Sequence, residues 1–245
     1  MSRRLSAVTS VLRALAPRAP FIEDEIAGLR GVVRPGAICF DIGAEYGLYT
    51  YPLACLAGPS GLVHSFEPLP GAARVLSAGI GAFGCHNVRR FAGAVSDRPG
   101  AGELSMPRRS GMPVHGRTFL TTGATGLGPN VEFASAETVR TRVTTVDAVY
   151  AHFRLPRVDF MKVDVEGAEP KVIEGARRVI DRHRPALLLE IEDRHLAKYG
   201  TTADDLAAHL TSLGYRMHTW HETTWQPTPK VTEDRRNYLF THTPA

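Results

Sequence analysis

The stretch Ala37-Ile38-Cys39-Phe40-Asp41-Ile42-Gly43-Ala44-Glu45-Tyr46-Gly47-Leu48-Tyr49-Thr50 decides the fold of this chain. Its first part is a short apolar run after Pro35-Gly36, which is the pattern of a buried strand. Gly43 and Gly47 interrupt the run, and leucines at helical spacing follow them. Glycine allows the backbone to approach a ligand closely and to adopt positive φ without strain. A strand, a glycine turn and a helix N-terminus therefore predict a nucleotide-type binding corner, with Asp41 near the end of the strand.

The composition is ordinary for a soluble globular protein. The chain has 245 residues, of which 43% are hydrophobic and 22% are charged. This length is enough for one α/β domain that buries about 70–75% of the surface of its unfolded chain. The net charge of +4 comes mainly from arginines that are scattered along the sequence, so we expect no nucleic-acid partner.

The cysteines and the apolar segments indicate the compartment. Cys39, Cys55 and Cys85 are odd in number and form no CxxC motif, so we expect them to be reduced. No apolar segment approaches the length of about 18 residues that a membrane-spanning helix needs. The N-terminus also lacks the apolar segment of a signal peptide. We therefore expect a cytoplasmic protein without stable membrane insertion.

Residues 1–32 form an N-terminal segment in front of the main domain, residues 33–245. Apolar residues on one face predict a helix over residues 3–15, which either packs on the domain or lies at a homodimer contact. A second helix is predicted from Ile22 to Val32, because acidic residues in its first turn suit the helix dipole. We expect the N-terminal helices to pack on the domain.

The second strand, Gly61–Phe66, ends at Glu67, which lies 20 residues beyond Gly47. A carboxylate at the end of the second strand, at about this distance from the glycine turn, can accept hydrogen bonds from both ribose hydroxyls. The alternative is a solvated loop acid. A third strand near Val88–Ala94 ends at Val95-Ser96-Asp97, which should form one wall of a nucleoside pocket.

The stretch from Ser105 to Gly128 is rich in Gly, Pro, Ser, Thr and Arg and lacks clear periodicity. Long loops in compact domains are usually functional or disordered. We predict a mobile substrate lid in residues 105–137, and plain disorder is the alternative. The basic residues of this lid are Arg108, Arg109, His115 and Arg117.

A second informative stretch is Val158-Asp159-Phe160-Met161-Lys162-Val163-Asp164-Val165-Glu166-Gly167-Ala168-Glu169. It is typical of a buried parallel strand, followed by a helix from Pro170 to Ile180. The alternation of a strand puts Lys162 and Asp164 on the same face, and a buried lysine requires a partner. Asp164 lies at the C-terminal end of the strand, where α/β sheets bind ligands.

The C-terminal part of the chain adds further strands. Residues 186–192 form an apolar strand with Glu190 and Glu192 at its end. Residues 215–220 and 237–241 predict two final strands, and a short connection requires such strands to be antiparallel. The sequence therefore predicts a series of strand–helix units followed by an antiparallel pair.

Four motifs together carry a resemblance to a known family. They are Asp41-Ile42-Gly43-Ala44-Glu45-Tyr46-Gly47-Leu48-Tyr49-Thr50, Phe66-Glu67-Pro68, Thr145-Val146-Asp147 and Asp159-Phe160-Met161-Lys162-Val163-Asp164-Val165-Glu166-Gly167-Ala168-Glu169. From Val33 to Phe240 the chain resembles the FkbM family of S-adenosylmethionine-dependent methyltransferases. The resemblance implies the class I methyltransferase fold, a Rossmann-like α/β sheet of seven strands with the last strand antiparallel and helices on both faces. It also implies O-methylation, often of sugar or polyketide hydroxyls.

The resemblance also implies a set of cofactor contacts. The glycine corner would line the methionine end of S-adenosylmethionine, Glu67 would hold the ribose, and residues 94–96 would border the adenine. The family usually has asparagine where this chain has Glu45, which adds a charge beside the methionine moiety. The implied cofactor-binding residues are Asp41, Gly43, Tyr46, Gly47, Thr50, Glu67, Ala94, Val95 and Ser96.

An aliphatic hydroxyl is protonated at pH 7, so its methylation needs a base or a metal ion. In a class I sheet the strands that end in Asp164 and Glu190 are neighbours, and their carboxylates would converge. Converging carboxylates repel unless a cation lies between them. Either Mg²⁺ takes this place, or Lys162 does and a carboxylate or histidine serves as the base. The predicted catalytic residues are Lys162, Asp164, Glu190 and His195, and the predicted metal ligands are Asp164, Glu190 and Glu192.

Two other functions remain open at this point. A nicotinamide-dependent oxidoreductase also uses a strand–glycine–helix corner and a downstream acid, but it expects G-x-G-x-x-G. Here the spacing is Gly43-x-x-x-Gly47, with no third glycine at the right place. A noncatalytic cofactor-binding module on the same fold is the second alternative. For the enzyme, we expect a small hydroxylated acceptor, a sugar or a polyketide.

Overall fold

The opening stretch forms a strand at the centre of a large sheet, and every residue of this strand is buried. The computed structural model describes residues 2–16 and 23–242. In chain order the strands are β1 Ile38–Ile42, β2 Leu62–Phe66, β3 Val88–Phe91, β4 Ala94–Val95, β5 Gly100–Arg109, β6 Met112–Pro113, β7 Phe119–Leu120, β8 Ser135–Thr144, β9 Phe160–Val163, β10 Ala186–Glu190, β11 Tyr215–His221, β12 Thr224–Pro227 and β13 Asn237–His242.

Helices alternate with most of these strands. In chain order they are α1 Arg3–Leu15, α2 Glu25–Gly28, α3 Thr50–Ala57, α4 Pro70–Phe83, α5 Val146–His152, α6 Glu169–Glu174, α7 Arg177–His183, α8 Asp193–Leu196 and α9 Ala203–Ser212. Short 3₁₀ helices cover Leu29–Gly31, His115–Arg117, Gly128–Glu132 and Ala197–Tyr199. Within the described residues, no helix is both long and apolar enough to cross a membrane.

The main sheet has the strand order β12-β11-β13-β10-β9-β1-β2-β3. Strands β3, β2, β1, β9 and β10 run parallel to one another. Strand β13 lies antiparallel between β10 and β11. Seven strands thus have the predicted class I arrangement, with the last strand antiparallel, and the fold class is confirmed.

The sheet has one strand more than predicted. The connection after β11 contains β12, which pairs antiparallel with β11. The reason is a contact distant in sequence: the Trp225 ring packs on Trp220 with the ring centroids 5.2 Å apart, and its Nε1 donates to the carbonyl of Gly28 at 3.1 Å. A side chain on Gly28 would collide with the Trp220 ring, so this glycine permits the packing.

Helices cover both faces of the main sheet, because successive strand residues point to opposite faces. Phe40 and Ile42 of β1 belong to a core cluster with apolar side chains of α5, α6 and α7. Cys39, which points the other way, lies in a second cluster with side chains of α1 and α3. Both clusters leave the C-terminal ends of the parallel strands available for a site.

The N-terminal segment packs on the second of these clusters. Helix α1 covers Arg3–Leu15, and its Leu5 is buried in that cluster. The second helix is shorter than the predicted Ile22–Val32: α2 covers Glu25–Gly28, and a 3₁₀ helix follows over Leu29–Gly31. The predicted start at Ile22 lies outside the described residues. Gly28 and Gly31 explain the shortening, because glycine is a poor residue for a helix interior.

Residues 105–137 are not one irregular loop. Strands β5 and β8 pair antiparallel from Gly100 opposite Val143 to Arg108 opposite Ser135, and they form a second sheet with β4, β6 and β7. This hairpin was not predicted from the sequence, because its content of Gly, Pro and Arg is unusual for β-strands. Its buried residues Leu104 and Met106 pack near the start of α4, in a third apolar cluster.

The predicted helix from Pro170 to Ile180 is divided into α6 and α7. The interruption lies at Gly175, where a side chain would collide with the carbonyl oxygen of Ser96. Asp147 then caps the start of α7, since its two carboxylate oxygens accept hydrogen bonds from the backbone N–H groups of Arg178 and Val179, both at 3.0 Å. The contacts of Gly175 and Asp147 with distant segments therefore divide the predicted helix into two.

The Asp147 cap can be tested by mutation. Asp147→Ala leaves two N–H groups at the start of α7 without their acceptor, so we expect a loss of about 1–2 kcal/mol in the free energy of unfolding. Urea unfolding monitored by circular dichroism measures it. The matched control is Asp181→Ala, an exposed aspartate of the same helix, which should change stability by less than about 0.5 kcal/mol. Equal unfolding midpoints for Asp147→Ala and the wild type would contradict the capping role.

Candidate active site

The glycine corner folds back onto the end of β2. Gly43 and Gly47 have φ values of +85° and +93°, and a side chain on Gly43 would collide with the carbonyl oxygen of Asp164. The backbone N–H groups of Gly43 and Ala44 both donate to the carbonyl of Phe66, at 3.0 and 2.9 Å. Glycine is therefore required at position 43, and the turn brings the segment after β1 against the segment after β2.

Glu67 is held in place by this arrangement. Its Oε2 accepts from the N–H of Glu45 at 2.9 Å, and its Oε1 accepts from the N–H of Leu69 at 2.7 Å. The side chain is only 4% exposed, and burial raises its pKa to about 7. Each carboxylate oxygen can accept a further hydrogen bond. A fixed carboxylate on the wall of a cavity suits a pair of vicinal hydroxyls.

A cavity of about 260 Å³ opens at the C-terminal ends of the parallel strands. Its walls are the glycine corner, the segments after β2, β9 and β10, and the hairpin residues Leu104, Phe119 and Leu120. The predicted site residues that line this cavity are Gly43, Glu67, Ala94, Val95, Asp164, Glu190, Glu192 and His195. Those that do not are Asp41, Tyr46, Gly47, Thr50, Ser96 and Lys162.

Asp41 and Thr50 lie behind the cavity wall. The Thr50 hydroxyl donates to Asp41 Oδ2 at 2.5 Å and lies 2.9 Å from the hydroxyl of Ser65. Asp41 is 1% exposed, and burial raises its pKa to about 6 although Thr50 and Lys162 oppose the shift. These residues connect β1 to the start of α3, which holds the glycine corner in shape.

Tyr46 lies at the mouth of the cavity. It is 44% exposed, and its hydroxyl is 2.7 Å from Nδ1 of His115, which lines the cavity from the hairpin side. Gly47 packs against Tyr51 on the outer side, and Ser96 is buried beside Asp97. The Tyr46–His115 contact thus joins the glycine corner to the hairpin across the entrance.

Lys162 is buried directly below the cavity, with 1% of its side chain exposed. Its ammonium donates to Asn237 Oδ1 at 3.0 Å, lies 3.4 Å from Asp164 Oδ2 and faces the Tyr49 ring at 5.0 Å from the centroid. Burial disfavours the charge, but the nearby carboxylates of Asp164, Glu23 and Glu190 outweigh it and raise the pKa of Lys162. Lys162 is therefore a permanent cation in the protein interior.

The carboxylates of Glu23, Asp164 and Glu190 approach within 4.8 Å of one another. Glu23 also accepts a hydrogen bond from the hydroxyl of Tyr49. Burial and the neighbouring Asp164 raise the pKa of Glu190 well above its usual range, which favours its neutral form. The Lys162 ammonium and this raised pKa together offset the repulsion among the carboxylates. Sequence reasoning missed Glu23, because no pattern in its segment points to a site.

Glu192 is not a member of this group. Its Oε2 pairs with Nε of Arg194 at 2.7 Å, and its Oε1 lies 3.6 Å from Nε of Arg236. Two of the predicted Mg²⁺ ligands, Asp164 and Glu190, thus belong to a carboxylate group that could hold a metal ion, whereas Glu192 does not. The Lys162 ammonium already provides a positive charge 3.4 Å from Asp164 Oδ2. We therefore derive no chemical step from a metal ion.

His195 lines the cavity but is tightly held. The ammonium of Lys198 lies 2.8 Å from its Nδ1, and Glu166 Oε2 lies 2.9 Å from the same atom. Burial and the Lys198 charge lower the pKa of His195, so the ring is neutral. Lys198 is itself fully buried and also donates to the carbonyl of Glu166 at 3.0 Å. Lys198 was not among the site residues predicted from the sequence. Its position two residues after the apolar Leu196 is a weak indication of burial.

Comparison with known proteins identifies a matching domain family. The Methyltransferase FkbM domain matches residues 41–217, which is well over half of the chain. The AMB antimetabolite synthetase AmbE of Pseudomonas aeruginosa is 28% identical over 218 residues, covering 79% of this chain and 10% of AmbE. The chain thus spans about a tenth of the length of that relative.

Two solved structures share the fold. The methyltransferase FkbM from Methylobacillus flagellatus KT has a TM-score of 0.52 and 15% identity, covering 98% of this chain and 58% of that one. The O-methyltransferase TomG from Streptomyces achromogenes, in complex with S-adenosylmethionine, has a TM-score of 0.50 and 11% identity, covering 100% and 91%. Because the domain match includes the glycine corner, Glu67 and Asp164, the chain belongs to the FkbM family of S-adenosylmethionine-dependent methyltransferases.

Proposed function

We propose that the protein is an O-methyltransferase that methylates a hydroxyl of a small molecule, a sugar or a polyketide natural product. The observation that carries the proposal is Asp164. Its side chain lines the cavity and is 30% exposed, while the Lys162 ammonium lies 3.4 Å away on the buried side. Asp164 is thus an accessible carboxylate whose orientation is fixed by a buried cation.

The cavity residues fit S-adenosylmethionine. Glu67 offers two fixed oxygens to the ribose hydroxyls, and Ala94 and Val95 offer an apolar wall to the adenine. The acidic residues Glu45 and Asp164 line the cavity and suit a ligand with a positive sulfur and an ammonium group. When bound, S-adenosylmethionine supplies an electrophilic methyl group. Family membership therefore favours this cofactor over the nicotinamide of an oxidoreductase.

Asp164 has the position to accept the proton of the acceptor hydroxyl. The raised pKa of Glu190 favours its neutral form, which can donate a hydrogen bond to the Asp164 carboxylate. His195 is a poor alternative base, because its Nδ1 faces the Lys198 ammonium and its pKa is lowered. A general base within reach of the hydroxyl typically accelerates such a step by about 10²–10⁴-fold. The proton leaves the acceptor oxygen as its new bond to carbon forms.

The rest of the cavity suits a hydroxylated acceptor of moderate polarity. Phe119 and Leu120 of the hairpin provide apolar contact, and Glu166, Glu192 and Arg194 provide hydrogen-bonding groups. The name of the relative AmbE places that protein in antimetabolite synthesis, which supports a small-molecule acceptor here. The hairpin closes this side of the cavity, so we keep its role as a substrate lid as part of the proposal.

Asp164→Asn tests the base. We expect kcat to fall by about 10²–10⁴-fold, because the amide cannot take the proton. The matched control is Glu190→Gln, which keeps a donor beside Asp164 and should keep kcat within about threefold, since the raised pKa of Glu190 favours its neutral form. Steady-state kinetics of methyl transfer measure both. A larger loss in Glu190→Gln than in Asp164→Asn would reverse the assignment.

Glu67→Ala tests the cofactor site. Loss of the carboxylate should weaken binding of S-adenosylhomocysteine by about 1–3 kcal/mol in calorimetric titration. Glu174→Ala removes a surface glutamate that is paired only with Arg177 and should leave the affinity unchanged. Unchanged affinity in Glu67→Ala would rule out the ribose contact.

Removal of metal ions with EDTA tests whether Lys162, rather than a metal ion, provides the positive charge beside Asp164. We expect the purified enzyme to keep its activity in excess EDTA, because the ammonium already neutralises Asp164. Activity that is lost in EDTA and restored by Mg²⁺ would show that the carboxylates of Asp164 and Glu190 bind a cation after all.

A further inference from the structure

A second cavity lies at the free edge of the main sheet. Its volume is about 720 Å³, larger than the cavity of about 260 Å³ at the strand ends. Strand β3 forms one wall, and β8 and α5 form the other. Phe66, Gly93 and Ala94 line both cavities, so the segment 93–94 separates them. No step of the proposed methyl transfer uses this second cavity.

Its charged residues are all basic. They are Arg90 and Arg142, and no acidic residue is among the described lining residues. Neither arginine forms an ion pair with a described residue. Elsewhere on the same hairpin, Arg108 pairs with Glu137 and Arg140 pairs with Glu103. Basic groups gathered around one cavity repel one another unless an anion lies between them.

The inner wall of this cavity is aromatic. Phe91 stacks on Phe66, with the ring centroids 4.8 Å apart and the planes at 11°, and meets Phe153 edge-on at 5.8 Å. His64 is fully buried behind these rings, and neither of its nitrogens has a hydrogen-bond partner. Burial, together with the nearby Arg89, lowers the pKa of His64 to about 4, so the His64 ring is uncharged. The Arg89 guanidinium lies over the Phe153 ring, 4.8 Å from its centroid, and places a further positive charge beside this wall. The wall therefore offers flat aromatic contact next to positive charge.

We propose that this cavity is a second ligand site, for a small organic anion with a phosphate or carboxylate group on a flat apolar body. The guanidinium groups of Arg90 and Arg142 bind the anionic group, since their planar forks match phosphate and carboxylate oxygens. The rings of Phe91 and Phe153 contact the body of the ligand. The outer edge of β3 has no neighbouring strand among the described residues, so the ligand can enter from the side.

Calorimetric titration with phenyl phosphate tests the site. The methyl-transfer cavity is first saturated with S-adenosylhomocysteine, so that the probe reports on the second cavity. We expect saturable binding of one phenyl phosphate per chain, weakened by added salt, and no binding of phenol, which has the ring without the phosphate. Absence of saturable phenyl phosphate binding to the protein saturated with S-adenosylhomocysteine would overturn the proposal.

Three variants locate the binding. Arg90→Gln and Arg142→Gln should each weaken phenyl phosphate binding by about tenfold or more, the effect of losing a charge-assisted contact. Arg140→Gln, on the same strand as Arg142 but paired with Glu103, should keep the affinity within about twofold. Thermal unfolding of each variant shows that it is folded. Equal affinity in Arg142→Gln and Arg140→Gln would place the anion elsewhere and contradict the proposal.

Discussion

The burial of the Lys162 ammonium is the constraint on which the rest of the site depends. A buried charge is costly unless it is paired and hydrogen-bonded, so the surrounding chain must supply its partners. These partners come from three parts of the sequence. Asp164 follows directly after β9, Asn237 comes from β13, and Tyr49 and Glu23 come from the N-terminal part of the chain. The Lys162 ammonium thus holds β9, β13 and the N-terminal part of the chain in fixed relative positions.

The same constraint explains why acidic groups can gather at the end of the sheet. Three carboxylates approach within 4.8 Å, which would be unfavourable if all were charged. Lys162 stabilises the charge on Asp164, and the raised pKa of Glu190 favours its neutral form. Asp164 is left as the accessible carboxylate. The base role that we propose for Asp164 rests on this division of charge.

Much of this architecture can be predicted from the sequence, because it depends on local patterns. The apolar runs and glycines of residues 37–50 define the corner, and the acid after β2 falls at Glu67 because a strand–helix unit has a nearly fixed length. The position of Asp164 at a strand end likewise follows from the alternation around Lys162.

The features that the sequence does not reveal depend on contacts between distant residues. Glu23 lies 141 residues before Asp164, and no local pattern connects them. The division between α6 and α7 arises from contacts of Gly175 and Asp147, and the strand β12 depends on the packing of Trp225 near Gly28. The hairpin of β5 and β8 was not predicted, because its composition is typical of loops. Its strands are defined by backbone pairing between residues that lie far apart in the sequence.

The central claim is that the cavity transfers a methyl group from S-adenosylmethionine to a hydroxyl. The most direct measurement is transfer of an isotopically labelled methyl group to a panel of saccharides and hydroxylated polyketides, with the products identified by mass spectrometry and NMR. Our account predicts a labelled methyl ether on at least one acceptor. Tight binding of S-adenosylmethionine without transfer to any acceptor, or a methyl group found on nitrogen or carbon, would contradict it.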